Sequence, residues 1–142
     1  MTKLYRDMEE AEDGFPVIGY NSKRLGVRID GVTVDGNESV CDIVVDSNGD
    51  VHPDQEGLSV TPPDINKNIK PSFLRRVLRR KTVLWELDSS DLTALGLKYR
   101  QDPKDEAHGF IEPANRMAAL HFASLIEKTR DIWRKSSDLQ VE

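Results

Sequence analysis

Apolar residues follow two rhythms along this chain, and the rhythm changes near Pro62-Pro63. Before that point glycines and prolines interrupt the sequence every few residues, at Gly14, Pro16, Gly19, Gly26, Gly31, Gly36, Gly49, Pro53 and Gly57. The runs between them are short, as in strands joined by turns. Leu4-Tyr5-Arg6 is the first predicted strand. Val40 to Val45 is apolar and β-branched, and the turn residues Asp46-Ser47-Asn48-Gly49-Asp50 lead from it into another short strand, predicting a hairpin. Leu58 to Thr61 is a third strand, ended by the two prolines.

The back half reads differently. Phe73, Leu74, Val77 and Leu78 recur at helical spacing, with Arg75, Arg76, Arg79 and Arg80 opposite, so an amphipathic helix with Pro71 near its start is expected. Val83 to Leu87 reads as a strand. Ser89-Ser90-Asp91 supply caps for a short helical turn that ends at Gly96, and Leu97 to Arg100 resumes extended structure. Ala118, Phe122, Leu125, Ile132 and Trp133 mark one face of a C-terminal helix from about Pro113 to Lys135, which would be ~33 Å long. No repeat or linker divides the pattern, and residues 1–142 are expected to form a single α+β domain.

Composition narrows the function classes. Of the 142 residues, the first 56 hold 13 acidic and 5 basic side chains, and the remainder 12 and 15. An acidic front and a mildly basic back suit a small anionic ligand or a partner that reads one face. The net charge of −5 argues against strong duplex nucleic-acid binding. No stretch approaches the ~20 apolar residues of a membrane span, and the first 15 residues hold no apolar run of signal-peptide type, so a soluble, cytoplasmic protein is expected. The single cysteine, Cys41, excludes an internal disulfide and reads as a buried strand thiol. The three histidines and Cys41 show no zinc-ligand spacing, and no metal is expected. Phosphate-loop, GxGxxG and HExxH motifs are absent, and Gly57 to Thr61 lacks the final glycine of a nucleophile elbow.

The stretch His108-Gly-Phe-Ile-Glu112-Pro carries the most chemistry. Gly109 and Pro113 oppose a helix there, and in a strand His108, Phe110 and Glu112 share one side. The outer two Cα atoms would lie ~13 Å apart, too far for a direct pair. Glu112 therefore works with residues of other strands or is an exposed strand edge. The candidate partners are Arg6 on the first strand and Ser59 with Thr61 on the third: a guanidinium for phosphate oxygens, hydroxyls for a ribose and a carboxylate for a developing cation. The RRVLRRK run at 75–81 is either a solvated helix face or a docking face for an acidic partner or phosphates.

Taken together, LYR near the start, SKRLGVR, DIVVDSNGDVHP, GLSVTPP and HGFIEP before a helix ending in TRDIW resemble the small ADP-ribosyltransferase-like toxin domains typified by a type VI secretion effector of Pseudomonas. The similarity spans roughly Leu4 to Trp133. It implies two packed, strongly bent β-sheets with helices outside and an NAD-binding cleft between them. It also implies that NAD is the substrate, with Arg6 contacting it, Ser59 and Thr61 bracing the site and Glu112 binding the nicotinamide ribose. On this resemblance Arg6, Ser59 and Glu112 are the catalytic set, and Tyr5, His108 and Phe110 join Arg6, Ser59 and Thr61 around NAD, with Tyr5, Phe110 or Trp85 stacking on nicotinamide. Arginine-modifying members carry a Glu or Gln two residues before the catalytic glutamate. Here that position is Phe110.

The activity so implied is that of an NAD-dependent ADP-ribosyltransferase-like toxin, made in the cytoplasm, delivered to a target cell, acting on an intracellular macromolecule and held in check by an immunity protein. Two alternatives are an inactive relative that binds a protein through its basic helix, and an NAD-dependent RNA 2′-phosphotransferase.

Overall fold

A computed structural model describes residues 2–34 and 41–139. In chain order the elements are β1 (Lys3–Met8), β2 (Asp50–Val51), β3 (Leu58–Val60), α1 (Ile65–Asn68), α2 (Pro71–Leu78), β4 (Val83–Asp88), β5 (Leu97–Gln101), β6 (Gly109–Pro113), β7 (Met117–Ala118), α3 (Ala119–Lys128) and β8 (Arg134–Lys135). The chain is α+β, with three small antiparallel sheets ordered β1-β4-β8, β3-β6-β5 and β2-β7. No helix among the described residues is long and apolar enough to cross a membrane.

The two three-stranded sheets meet edge to edge. Tyr5 and Thr61 exchange both backbone hydrogen bonds, at 2.9 and 2.7 Å, which joins the β1 edge to the chain just after β3. In a continuing antiparallel ladder the next exchanging pair would be Asp7 with Ser59. The Ser59 carbonyl instead accepts from Arg6 Nη1 at 2.7 Å. The Arg6 side chain thus occupies the place of a ladder bond, and the junction consists of this one bridge.

One large core lies against both sheets. Leu4, Met8, Trp85 and Leu87 reach it from β1 and β4, Leu58, Val60 and Ile111 from β3 and β6, and Phe122, Ala123, Leu125 and Ile126 from α3. Tyr5 and Leu84, at alternate positions of β1 and β4, instead pack with Ile65 of α1 and Phe73 of α2 in a second cluster. β1 is therefore buried on both sides, as its burial pattern shows. α2 forms as its spacing predicts, with Pro71 at its start and Phe73 inward. Arg75, Arg79 and Arg80 face outward, whereas Arg76 is half-buried and donates through Nε to Asp7 at 2.7 Å.

Three predicted elements differ. Val40 lies outside the described residues, and Cys41 to Val45 form no strand; Ile43 makes a single bridge to Glu56, and Cys41 is only half-buried. The turn at 46–50 does form. The Asp46 carboxylate is held near a pKa of about 2 by His52 and by the backbone N–H groups of Asp50 and Asn48. The outgoing arm, β2, pairs with β7 instead of with the incoming arm. Asp88 caps the following 3-10 turn, accepting from the Ser90 N–H at 3.0 Å, in place of the predicted residues 89–91.

The C-terminal helix is also far shorter than predicted, running from Ala119 to Lys128. At its start, the N–H groups of Ala114 and Ala119 bond to Gly96 and Gly49, and Met117 and Ala118 pair with β2. At its end the chain tightens into a 3-10 turn, Thr129–Ile132. Trp133 is fully buried there, its Nε1 donating to Thr129 Oγ1 at 3.0 Å, and β8 then pairs with β4.

Gly57 closes the approach of the 52–57 loop to β6. A Cβ at Gly57 would lie 2.3 Å from the Ile111 carbonyl oxygen and 3.2 Å from Glu112 Cα. Both obstacles are backbone, so Gly57→Ala is expected to lower the unfolding free energy by about 1–3 kcal/mol, read as a lower urea midpoint with an unchanged m-value. An unchanged midpoint would mean that the loop does not need this close approach.

Candidate functional site

The sequence-predicted residues divide into two groups. Tyr5, Arg6, Ser59, Thr61 and His108 all line one cleft of about 220 Å³, bounded on its other sides by Ser22, Ala107 and the α2 side, which contributes Lys70, Phe73 and Arg76. Phe110 and Glu112 are not among its walls. They share the Ser59 face of the β3-β6-β5 sheet, because Ser59 pairs with Phe110 and Glu112 follows two residues on.

Arg6 is 7 % exposed, and its guanidinium is already engaged. Besides the Ser59 carbonyl, it donates through Nη2 to the carbonyls of Arg24 at 2.9 Å and Asn21 at 3.3 Å. Burial pushes its pKa down to about 10, against the pull of Asp42 and Asp7, which leaves it charged at neutral pH. Its Nε is buried without a partner. Arg6 therefore fastens β1, β3 and the 21–24 segment around the cleft, and its hydrogen-bonding capacity goes to backbone carbonyls.

Tyr5 presents its ring to the cleft while its hydroxyl donates to Asp138 at 2.7 Å. Ser59 and Thr61 place their hydroxyls free of any side-chain hydrogen bond among the described residues. Lys70 is exposed, its nearest carboxylate oxygen being Asp105 Oδ2 at 4.0 Å. The cleft thus combines cations, free hydroxyls and an aromatic face.

His108 ends the β5-β6 connection rather than standing in β6. The Asp102 N–H bonds to the His108 carbonyl at 3.1 Å, and His108 Nδ1 lies 2.9 Å from Asp102 Oδ2. The His108 ring meets Phe110 edge-on, with centroids 4.6 Å apart, and the guanidinium of Arg100, on β5, lies 5.0 Å from the Phe110 centroid. This stack of His108, Phe110 and Arg100 leads from the cleft toward Glu112. On the opposite face of β6, Gly109 leaves room for the Tyr99 ring, because a Cβ there would sit 2.4 Å from it.

Glu112 is fully buried. Its Oε2 accepts from Arg100 Nε at 3.1 Å and from the Asp54 N–H at 2.8 Å. Its Oε1 has no hydrogen bond, and Lys98 Nζ is 3.6 Å away. Asp54 and Glu56 both hold left-handed backbone, with φ of 68° and 74°, an unfavourable state for residues with side chains. The 53–57 loop is thus wrapped over the carboxylate at some conformational cost.

Trp85 is excluded as a stacking residue: it is 1 % exposed in the core and donates through Nε1 to the Met8 carbonyl. A larger cavity of about 660 Å³ holds none of the predicted residues; it lies beside β4, the 3-10 turns and residues 128–134. Sequence reasoning passed over Lys70, Arg100 and Asp102, and took Arg76 only as part of the basic run at 75–81. Lys70, just before Pro71, carried no pattern of its own, but Asp102-Pro103-Lys104-Asp105 between two predicted strands is a readable turn signal that brings Asp102 back to His108.

Two measurements test this assignment. Arg6→Met should destabilise by on the order of 3 kcal/mol, since it strips three carbonyls of their donor, whereas Ser59→Ala should change stability by less than about 0.5 kcal/mol. Equal urea midpoints for the two variants would contradict a clamping role for Arg6. The second measurement uses the Tyr5 phenol, whose pKa is pushed up to about 12 by burial and by its bond to Asp138. The folded state holds this proton more tightly than the unfolded chain, so its stabilisation is intact below pH ~10 and declines as pH rises toward 12. The fall in urea midpoint between pH 9 and 11 should be smaller in Tyr5→Phe than in wild type.

No protein-family model and no curated protein matches the chain, so the reading of the cleft rests on its own geometry.

Proposed function

We propose that this protein is an NAD-dependent ADP-ribosyltransferase-like domain, its two edge-joined sheets being the bent pair of that fold. The observation that carries the reading is the strand order. The Tyr5–Thr61 bridge seats the Arg6 strand against the Ser59 strand, whose other edge pairs with the Glu112 strand. Three residues of the types an NAD glycosidic site requires thus stand on three successive neighbouring strands.

The cleft suits one end of the dinucleotide. At about 220 Å³ it falls below the roughly 300–1,000 Å³ that encloses a drug-sized ligand, which fits a nicotinamide-ribose end with the phosphates toward the rim. Lys70 and Arg76 offer positive charge to the phosphates, Tyr5 or Phe73 offers a ring to nicotinamide, and Ser59 and Thr61 offer hydroxyls to the ribose. Arg6 orders the strands that carry these groups. Glu112 supplies the carboxylate that stabilises positive charge at the ribose, and its use requires the Asp54 loop to release it. On this reading the acceptor is a macromolecule of a target cell, and an immunity protein restrains the toxin.

The burial of Glu112 favours a second reading, a relative that binds NAD without turning it over. Nicotinamide release from NAD separates the two. Wild type should release nicotinamide, and Glu112→Gln should reduce the rate by roughly 10²–10³-fold while keeping the thermal upshift with NAD. An upshift without turnover in wild type would select the second reading, and neither upshift nor turnover would reject both.

A further inference from the structure

The cleft has a proton acceptor that the predicted catalytic set leaves without a task. Arginine-modifying relatives carry a carboxylate or amide two residues before the catalytic glutamate; here Phe110 stands there, stacked between His108 and Arg100. His108, two residues further back, is in the cleft.

Its ring is held as a general base is held. Asp102 Oδ2 lies 2.9 Å from Nδ1, and a carboxylate can only accept, so Nδ1 carries the hydrogen and Nε2 keeps its lone pair in the neutral ring. Asp102 is itself fixed. Its Oδ1 accepts from the Lys104 N–H at 2.9 Å, and its carboxyl is held below the usual carboxylate range first by His108 and then by that backbone bond. Gln101 Nε2 ties the loop further, donating to the carbonyls of His108 at 2.9 Å and Asp105 at 3.0 Å. The Phe110 ring, 4.6 Å away, sets the tilt of the imidazole. His108 Nε2 makes no hydrogen bond among the described residues, and the ring borders the same cleft as the free hydroxyls of Ser59 and Thr61.

We propose that His108 is the general base of this cleft and that Asp102 is its positioning residue, the two activating the nucleophile that attacks the nicotinamide ribose. The proposal rests on the NAD reading above. With water as nucleophile, the water oxygen bonds to ribose C1′, the C1′–N bond breaks with its electron pair leaving on nicotinamide, and the water proton passes to His108 Nε2. The products are ADP-ribose, nicotinamide and one proton, and no other reactant is needed. The division of labour follows: Glu112 meets positive charge on the sugar, and His108 removes the proton that the nucleophile must lose. The charged groups near His108 are Asp102 and Asp105 in its own connection, Lys70 and Arg76 on the α2 side, Arg6 and Asp7 on β1, and, beyond the Phe110 ring, Arg100 on β5.

The test uses the full chain, with NAD and water as the only reactants. In wild type, nicotinamide release should rise with pH through one ionisation. His108→Gln should lower kcat by roughly 10²–10⁴-fold and flatten that rise, while the thermal upshift with NAD persists. Added imidazole should restore part of the rate to His108→Ala. Nitrogen-15 NMR gives a readout independent of turnover: neutral His108 should be protonated at Nδ1 in wild type and show mixed tautomers in Asp102→Asn. An active wild type with His108→Gln unchanged in kcat and pH profile would overturn the base role alone, as would an Nε2-protonated tautomer in wild type. A wild type that releases no nicotinamide would overturn the transferase reading and this role with it.

Discussion

A single buried guanidinium organises this molecule. Arg6 sits where the β1-β3 ladder would otherwise continue, takes the Ser59 carbonyl, and reaches the carbonyls of Asn21 and Arg24. A charge so deeply buried is tolerated only with partners, and here they are backbone oxygens from two separate segments. The edge-to-edge junction is therefore one bridge long, and a cleft borders it. If β1 and β3 zipped fully together, Asp7 would claim the Ser59 carbonyl and leave Arg6 without that acceptor.

The same face of the second sheet carries two polar systems separated by a ring. On the cleft side, Asp102 orients His108. On the other, Arg100 and the Asp54 N–H hold Glu112 away from water. Phe110 touches both His108 and Arg100, so any movement that uncovers Glu112 is felt along the stack. Only two buried side-chain polar atoms lack a hydrogen-bond partner among the described residues, Arg6 Nε and Glu112 Oε1. Buried polar atoms are rarely left so, and here one belongs to the cleft wall and the other to the carboxylate beyond the stack.

Much of the architecture was legible in the residues. Leu4-Tyr5-Arg6 and Val83 to Leu87 read as strands and are strands, and the spacing of Phe73 and Val77 predicted α2 with its proline start. The failures share a cause. The helical pattern after Pro113 was real, but residues 114–118 spend their backbone groups on Gly96 and β2, and Trp133 pulls the end of the pattern into the core. The apolar run at 41–45 looked like a strand, yet β2 found its partner in β7, 66 positions downstream of Val51 at Met117. Periodicity reports which face a segment buries, not which distant segment takes its hydrogen bonds.

The candidate site shows the same division. By itself the sequence determined the types of groups available: an arginine in the first strand, hydroxyls before Pro62-Pro63, a histidine and a glutamate astride a glycine-containing strand, and the extended geometry that keeps those two apart. Only the tertiary structure decided how each is used. It gathered Tyr5, Arg6, Ser59, Thr61 and His108 around one cleft, gave His108 its carboxylate and closed Glu112 behind Phe110. Side-chain chemistry is fixed by the residue, but exposure and partners depend on segments elsewhere in the chain; all the hydrogen-bond partners of Arg6, and the Asp54 N–H that holds Glu112, are backbone atoms, which carry no residue-specific signal in the sequence.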